Sequence, residues 1–243
     1  MNLLLAVLLT IPPVVMYHRV DAWSPNDSIS QRLTISPTQF ADELRDIHRI
    51  GLRTIGIDEL VRDAQHEASP ERAVLLTFDD GYSDQFDYAF PILQRYGDRA
   101  VFFINTGTIG TPRHLTWPEV ETMAKAGMSI ECHGVDHVDL GESNVAEQTY
   151  QIDRCVSELR AHLNESVLAF AYPSGDFDAE TIGVEREAGV LFGFTTDPRF
   201  QTDARSPYQI ARIRVVTGMD DAYFAARLEA ARAFVSLTPS SVP

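Results

Sequence analysis

The chain has 243 residues and a hydrophobic content of 44%, which is enough for the core of one substantial enzyme domain. Its formal net charge of −15 at pH 7 argues against a nucleic-acid partner, because phosphate binding requires clustered cations. Such acidity suits a neutral sugar, or a product that becomes cationic when its amine is freed.

Strands and helices alternate along the chain. The opening strand lies at residues 14–20, and the next helix begins at the Ser36-Pro37 pair and ends at Gly51. Further strands are predicted at residues 53–57, 73–78, 100–105, 128–132, 167–172, 192–196 and 210–215. Helices are predicted at residues 83–95, 116–126, 144–163, 178–188 and 220–234. Repeated strand–helix units predict an α/β fold with a parallel sheet, and a barrel of such units carries its chemistry at the carboxyl ends of the strands.

One domain is predicted over residues 13–235, between an apolar segment at 1–12 and a polar tail at 236–243. The apolar segment resembles the core of a secretory signal, but no basic residue precedes it, no clear cleavage site follows it, and it is too short to span a bilayer. Cleavage near residue 20 would also remove His18. An anchor in contact with a membrane, a short helix on the barrel and a misplaced start codon remain as explanations.

Two acidic residues follow a buried strand. The run Val74-Leu75-Leu76-Thr77-Phe78 is apolar and partly β-branched, and Asp79 and Asp80 come directly after it. Neighbouring side chains on a strand point to opposite faces, so the two carboxylates converge only if the strand ends there. Gly81 allows that turn.

Two histidines follow another short strand. His133 and His137 lie on the loop after residues 128–132. One carboxylate and two neutral imidazoles suit Zn²⁺ or another divalent first-row metal, with one position open for water. The other carboxylate is then free to take a proton. Taken alone, two acids at a strand end predict a turn or a helix cap, but their order with the histidines and the Tyr172-Pro173-Ser174-Gly175 turn favour a metal site.

These segments resemble the polysaccharide deacetylase family, carbohydrate esterase family 4, whose shared unit is the NodB homology domain. The resemblance covers residues 13–216 and implies a distorted (β/α)7-type barrel. Residues 77–81 match the aspartate motif, and residues 133–137 match the HxxxH metal motif. The implied roles are general base for Asp79 and metal ligation for Asp80, His133 and His137. Zinc is the expected ion, with cobalt, nickel and iron as alternatives.

Residues 170–175 resemble the motif that forms one wall of the groove, so Tyr172 is expected to offer its backbone N–H to the oxyanion beside Pro173. Residues 14–20 are similar to the opening strand of the poly-N-acetylglucosamine deacetylase branch, which implies that His18 is the general acid. No histidine after His162 is available for that role. A buried polar residue at a strand end is the alternative for His18.

The family's usual arginine before the Tyr-Pro turn is absent, because Phe170 and Ala171 occupy that stretch. Arg212 resembles an arginine on a late strand of this branch, and it either orients the catalytic aspartate or is a surface residue. Cys132 and Cys155 are too few for a disulfide framework. A buried thiol is favoured for Cys132 over a fourth metal ligand, with a bridge between the two cysteines left open.

The resemblance implies a metal-dependent hydrolase that removes N-acetyl groups from a polysaccharide, with exopolysaccharide of the poly-N-acetylglucosamine type favoured. Chitin, peptidoglycan glycan and acetylated xylan are also accessible to this chemistry. Two alternatives stay open: a deformylase or amidase acting on a lipid-linked or small amide, and a carbohydrate-binding barrel without turnover. A polysaccharide substrate implies a cell-envelope or extracellular location, with membrane association and a cytoplasmic location as alternatives.

Overall fold

The structure is a computed structural model that describes residues 11–22, 28–65, 72–198 and 206–237. The apolar stretch at 1–10 and most of the polar tail lie outside the described residues. Ten strands are present in the described ranges: β1 Val14–Tyr17, β2 Arg19–Val20, β3 Thr34–Ile35, β4 Arg53–Thr54, β5 Ala73–Phe78, β6 Val101–Ile104, β7 Ser129–Cys132, β8 Ala169–Ala171, β9 Phe192–Phe194 and β10 Ile213–Arg214.

Eight α-helices accompany the strands in the same ranges: α1 Ser28–Leu33, α2 Pro37–Arg49, α3 Ile57–Gln65, α4 Phe90–Tyr96, α5 Trp117–Lys125, α6 Val145–Leu163, α7 Ala179–Ala188 and α8 Asp221–Leu237. Shorter turns are a π-helical turn at Gln85–Ala89 and 3-10 turns at Thr106–Thr108 and Pro173–Gly175. None of the helices in these ranges combines the length and the apolar character needed to cross a bilayer.

The helix starts follow their sequence signals. Ser36 accepts a hydrogen bond from the Gln39 N–H ahead of α2, and Asn144 accepts one from the Glu147 N–H ahead of α6. At α7, Asp178 accepts from the Thr181 N–H. Each cap satisfies a backbone donor that has no partner inside its helix.

The main sheet is parallel and closes on itself. Its strand order is β10-β1-β5-β6-β7-β8-β9, with β4 paired to β5. Phe194 in β9 forms a parallel bridge with Ile210, four residues before the end of β10, while β10 pairs with β1. The segment 210–214 therefore joins the two edges of the sheet, and seven strands enclose a barrel. This confirms the predicted distorted (β/α)7-type barrel of the α/β class.

Alternate residues of the strands belong to two separate hydrophobic clusters. Leu75, Val101 and Phe103 belong to an inner cluster within the barrel, which α3 closes at one end. Val74, Leu76 and Phe78 belong to the outer cluster, against which α2, α4, α5 and α6 pack. The two-residue period of β5 is therefore maintained to its end, and it places Thr77 and Asp79 on the inner side with Leu75.

Several predicted elements differ in detail. The strand expected at 53–57 contains only Arg53–Thr54, because Ile57 and Leu60 form the buried side of helix α3, which had not been predicted. Helix α1 was also not predicted. The single helix expected at 83–95 is a π-helical turn followed by α4. The last strand is two residues long rather than six, because the chain crosses from β9 to β1 within 210–214.

The expectation of a buried free thiol at Cys132 was wrong. Cys132 and Cys155 form a disulfide that joins the end of β7 to α6, with the two Cα atoms 6.0 Å apart. The bridge was the alternative left open by the sequence. A bonded Cys132 sulfur is also excluded as a fourth metal ligand, since ligation requires a thiolate.

Candidate active site

A cavity of about 370 Å³ lies at the carboxyl ends of the barrel strands. Its polar lining comes from the residues that follow successive strands: His18, Asp79, Asp80, Asn105, His133, His137, Tyr172, Ser174, Thr196 and Arg214. The structure therefore brings together six of the eight site residues that the sequence predicted. Arg212 and Pro173 are not in this lining; both are buried behind it.

Asp79 and Asp80 converge because the backbone turns sharply after β5. Asp80 has a φ of 76° and Gly81 a φ of 71°, so two successive residues adopt the left-handed conformation. Aspartate is among the few residues that tolerate this conformation, and glycine adopts it freely. The turn carries both carboxylates to the cavity instead of to opposite faces of the sheet.

Asp79 is held in a buried ion pair with Arg212. Arg212 donates two parallel hydrogen bonds to the carboxylate, Nη1 to Oδ1 at 2.7 Å and Nη2 to Oδ2 at 2.8 Å. The same guanidinium donates from Nε to the Thr195 carbonyl at 2.8 Å. Burial raises the pKa of Asp79, but the Arg212 charge, with those of the nearby histidines, more than offsets this effect and lowers it below its ordinary value. Asp79 is therefore ionised and fixed in orientation.

Asp80, His133 and His137 form a second group. Their candidate ligand atoms all lie within 4.8 Å of one another. Asp80 Oδ1 is 3.4 Å from Nε2 of each histidine, longer than an N–H···O hydrogen bond. This buried oxygen accepts no hydrogen bond from the described residues. An orphaned carboxylate oxygen facing two imidazole nitrogens is the donor set that a divalent metal requires, so the residues fit such an ion.

The loop that carries the two histidines is fixed by its neighbours. His133 Nδ1 lies 2.6 Å from the Ala171 carbonyl. A carbonyl only accepts hydrogen bonds, so Nδ1 carries the proton and Nε2 is left as the ligating atom. Gln151 on α6 accepts from the N–H groups of Val135 and Asp136 at 2.7 Å and 2.9 Å. His137 then takes the left-handed conformation, with a φ of 54°.

His18 follows β1 and lines the same cavity. Its Nδ1 is buried and has no hydrogen-bond partner among the described residues. Burial lowers the pKa of its imidazole, and the Arg212 and Arg214 charges lower it further, whereas Asp79 and Asp80 raise it. Gln85 donates from Nε2 to the carbonyls of His18 and Asp79, at 2.8 Å and 2.6 Å, and so ties the ends of β1 and β5 together. No pattern in the sequence pointed to Gln85.

The role expected of Tyr172, donation of its backbone N–H to the oxyanion, does not agree with the structure. Its N–H donates to the Phe194 carbonyl at 3.0 Å within the sheet, so it is not free for an oxyanion. Its hydroxyl is buried and lies 2.8 Å from Glu185 Oε2 and 2.9 Å from the Tyr208 carbonyl. The exposed Ser174, two residues later, has a φ of 60° and an N–H without an acceptor among the described residues. The signal that marks Ser174 is structural: it is a non-glycine residue in the left-handed conformation, which is common at functional sites.

Comparison with known proteins identifies the family. A family model described as Polysaccharide deacetylase matches residues 66–193, more than half of the chain. The chain belongs to the polysaccharide deacetylase family. It is 29% identical over 218 residues to a putative polysaccharide deacetylase of Bacillus subtilis, covering 89% of this chain and 76% of that protein. It is 26% identical to a poly-beta-1,6-N-acetyl-D-glucosamine N-deacetylase of Staphylococcus aureus, covering 78% of this chain and 69% of that one.

Solved structures of polysaccharide deacetylases are also similar to this chain. The deacetylase PplD of Streptococcus pyogenes, in complex with acetate, is 28% identical with a TM-score of 0.83, over 89% of this chain and 97% of that one. IcaB from Ammonifex degensii is 25% identical with a TM-score of 0.76, over 89% and 96%. This deacetylase is thus a hydrolase of carbon–nitrogen amide bonds with the NodB fold. Enzymes of this family depend on a metal, and the Asp80, His133 and His137 group fits that requirement.

Proposed function

We propose that this deacetylase removes N-acetyl groups from N-acetylhexosamine units of an exopolysaccharide of the poly-N-acetylglucosamine type. The observation that carries the proposal is the arrangement of Asp79, fixed by Arg212, beside the Asp80, His133 and His137 group at the floor of an open cavity. Similarity to an enzyme named for poly-beta-1,6-N-acetylglucosamine favours that polymer over chitin or peptidoglycan. Such a polymer is extracellular, so the proposed location is outside the cell or in its envelope.

Asp79 is the proposed general base. Its ionised carboxylate takes the proton of the attacking water, and the two hydrogen bonds from Arg212 hold it in one orientation during that transfer. Arg212 is itself fully buried and is not part of the cavity lining. It is therefore a positioning residue and does not touch the substrate.

Asp80, His133 and His137 would hold the metal. A divalent ion bound there, with zinc expected and cobalt, nickel or iron as alternatives, supplies Lewis-acid polarisation of the acetyl carbonyl and a more acidic water. The Ala171 carbonyl fixes the tautomer of His133 for this purpose. Cys132, bonded to Cys155, and the Gln151 side chain hold the ligand loop against α6.

His18 is the proposed general acid, and Ser174 the proposed oxyanion donor. The amine is a poor leaving group unless it receives a proton. Two histidines of the cavity lie outside the ligand group, His18 and His114, and of these the charge of Asp79 acts on His18. The Ser174 N–H replaces that of Tyr172 as donor to the negative oxygen of the tetrahedral intermediate, because the Tyr172 N–H is bonded within the sheet. Pro173 is buried behind this turn and shapes it.

The test is acetate release from poly-β-1,6-N-acetylglucosamine oligomers by metal-loaded protein. We expect Asp79→Asn to abolish release, His18→Ala to reduce kcat sharply with bound metal unchanged, and Asp80→Asn to lose the metal. The matched control is His162→Ala, because His162 is exposed on α6 and stacks on Trp117 away from the cavity. That variant should keep both metal and activity.

Two outcomes would contradict the proposal. Acetate release that persists in Asp79→Asn would exclude Asp79 as the base. Absence of release from these oligomers, with metal bound and with release from a lipid-linked or small amide, would favour the amidase alternative.

A further inference from the structure

Arg214 is a cation at the mouth of the cavity. It lies two residues after Arg212, on β10, which pairs with β1 through Met16 and Arg214. Side chains two apart on a strand share a face, so both arginines point toward the barrel axis from the same segment. Arg212 is buried beneath Asp79, whereas Arg214 is exposed and lines the cavity beside His18.

Two other arginines of the site, Arg212 and Arg19, have carboxylate partners, and Arg214 does not. Arg212 pairs with Asp79, with 2.7 Å between Nη1 and Oδ1. Arg19, also in the cavity lining, pairs with Asp84 at 2.7 Å and lies 3.5 Å from Asp21. Arg214 has no ion pair and no side-chain hydrogen bond within the part of the chain that the structure describes. Acids far outnumber bases in the chain, 35 to 20, so an unpaired cation at this position needs an explanation.

The charge of a second arginine, Arg32, acts on Arg214. Arg32 is exposed near the end of α1, and its carbonyl accepts from the Thr217 N–H at 2.9 Å, which joins α1 to the turn after β10. Burial lowers the pKa of the Arg214 guanidinium, and the Arg212 and Arg32 charges lower it further, while Asp79 raises it. Like charges from two elements repel each other, and an anion between or beside them would relieve that repulsion.

We propose that Arg214 forms a subsite for an anionic substituent, a carboxylate or a phosphate, on a sugar unit next to the one that is deacetylated, with the Arg32 charge on α1 adding to the attraction. The proposal rests on the proposed function and narrows its substrate class to polymers of the poly-N-acetylglucosamine type that carry acidic substituents. Guanidinium groups suit both anions, because their planar donors match the geometry of carboxylate and phosphate oxygens. An exposed cation at the mouth, beyond the catalytic groups, is placed for a neighbouring sugar unit.

The first test compares three glycans of equal length and linkage. One is a β-1,6 oligomer of N-acetylglucosamine that carries carboxylate substituents, the second is the same oligomer with its carboxylates converted to amides, and the third carries phosphate monoesters. We expect the wild-type enzyme to show a lower KM for the carboxylate or phosphate glycan than for the amide. Arg214→Gln should raise the KM for the acidic glycan about fivefold relative to the KM for the amide.

Matched variants define the site. Arg214→Lys keeps the charge without the planar donors and should retain part of the preference for the acidic glycan. Arg32→Gln should weaken the preference less than Arg214→Gln. Arg95→Gln makes the same charge change on the exposed face of α4, outside the cavity lining, and should leave all three glycans unaffected.

Measuring inhibition by acetate shows whether Arg214 binds an anionic group of the substrate or the acetate product. If Arg214→Gln weakens inhibition by acetate but does not alter the preference among the glycans, Arg214 binds the product and the proposal is overturned. An equal change in KM or kcat for acidic and amidated glycans would also overturn it, because Arg214 would then act through His18 or Asp79.

Measurement of glycan binding, without turnover, tests the subsite independently of the proposed function. If the wild-type protein released no acetate from any glycan, the proposed function would fail, yet tighter binding of the acidic glycan by wild type than by Arg214→Gln would still support the subsite. Equal binding of acidic and amidated glycans by the wild-type protein would reject the subsite.

Discussion

At the scale of single residues, the site depends on one buried ion pair. Asp79 and Arg212 are both about 1% exposed and are joined by two hydrogen bonds, so neither charge is solvated by water. Attraction within such a pair offsets the cost of removing both charges from water only while both partners are present. Removal of one partner therefore affects stability and activity together.

For Arg212 we expect Arg212→Gln to lower the free energy of unfolding by about 3–5 kcal/mol, because it leaves the Asp79 charge buried and unpaired. Arg212→Lys keeps the charge but loses the two parallel hydrogen bonds, so it should fold more stably than Arg212→Gln and still lose most of kcat. Urea denaturation and acetate release provide the measurements. Arg95→Gln serves as the control, and an Arg212→Gln protein as stable as wild type would show that the pair is not important for folding.

At the scale of elements, helices fix the loops that carry the site. Helix α6 holds the loop of His133 and His137 by two means: Gln151 accepts hydrogen bonds from it, and Cys155 is bonded to Cys132 beside His133. Helix α7 holds β8 through the contact of Glu185 with the Tyr172 hydroxyl, 2.8 Å long. In both cases a helix residue outside the cavity determines where a cavity residue lies.

The disulfide is expected to stabilise the fold. A bridge across a sequence separation of 23 residues restricts the unfolded chain by about 3 kcal/mol in the chain-entropy estimate. Replacement of both cysteines by alanine should therefore lower the Tm measured under oxidising conditions. With a reductant present, the wild-type Tm should fall toward that of the variant. Equal Tm values under oxidising conditions would show that the bridge contributes no stability.

Glu185 is expected to control stability with pH. The Tyr172 hydroxyl has one proton but two oxygen neighbours, Glu185 at 2.8 Å and the Tyr208 carbonyl at 2.9 Å. A protonated Glu185 resolves this, because it donates to Tyr172 while Tyr172 donates to Tyr208. Burial raises the pKa of Glu185 to about 8, although the hydrogen bond with Tyr172 lowers it in part.

The direction in which stability changes with pH follows from the number of protons that the folded and unfolded states bind. Between about pH 4.3 and pH 8 the folded state keeps the Glu185 proton that the unfolded state releases, so Glu185 makes stability fall by up to about 1.4 kcal/mol per pH unit as pH rises. Glu185→Gln is neutral throughout and can donate its amide to Tyr172. Its stability should fall less steeply, so urea denaturation at pH 5 and pH 8 should show the variant gaining on wild type at the higher pH. Parallel curves would exclude a protonated Glu185.

At the scale of the whole molecule, closure of the barrel assembles the site. The segment 210–214 bonds to β9 on one side and β1 on the other, and this brings Arg212 to Asp79 across 133 positions of sequence. The same closure places Arg214 beside His18, near the other end of the chain. The catalytic group is therefore a property of the closed barrel and not of any one segment.

The net charge of −15 predicts a dependence on salt. Surface carboxylates repel one another in the folded state, and a rise in ionic strength from about 0.01 M to about 0.15 M shortens the screening length from about 30 Å to about 8 Å. We expect the Tm of the metal-free protein to rise by about 2 °C or more over this range, measured with NaCl by differential scanning calorimetry. A Tm that falls with salt would show that attractive ion pairs outweigh the repulsion.

The sequence by itself determined the pieces of the site that are local in the chain. Asp79 and Asp80 after an apolar strand, and two histidines four residues apart after another, predict a base and metal donors because both groups lie within a few residues. The alternation of strands and helices determined the parallel sheet for a similar reason, since each element has its own periodic pattern, whereas the distorted barrel was implied by the family resemblance. Short elements with weak patterns, such as α1 and the true extent of β10, were not determined in this way.

Only the tertiary structure decided the contacts between distant segments. The pairing of Arg212 with Asp79, the bond between Cys132 and Cys155, and the engagement of the Tyr172 N–H by Phe194 all depend on which strands become neighbours when the barrel closes. Sequence patterns report the environment of a residue along its own element, whereas hydrogen bonds and ion pairs between elements depend on distances in space. For that reason the residues of the site were readable in the sequence, and their partners were not.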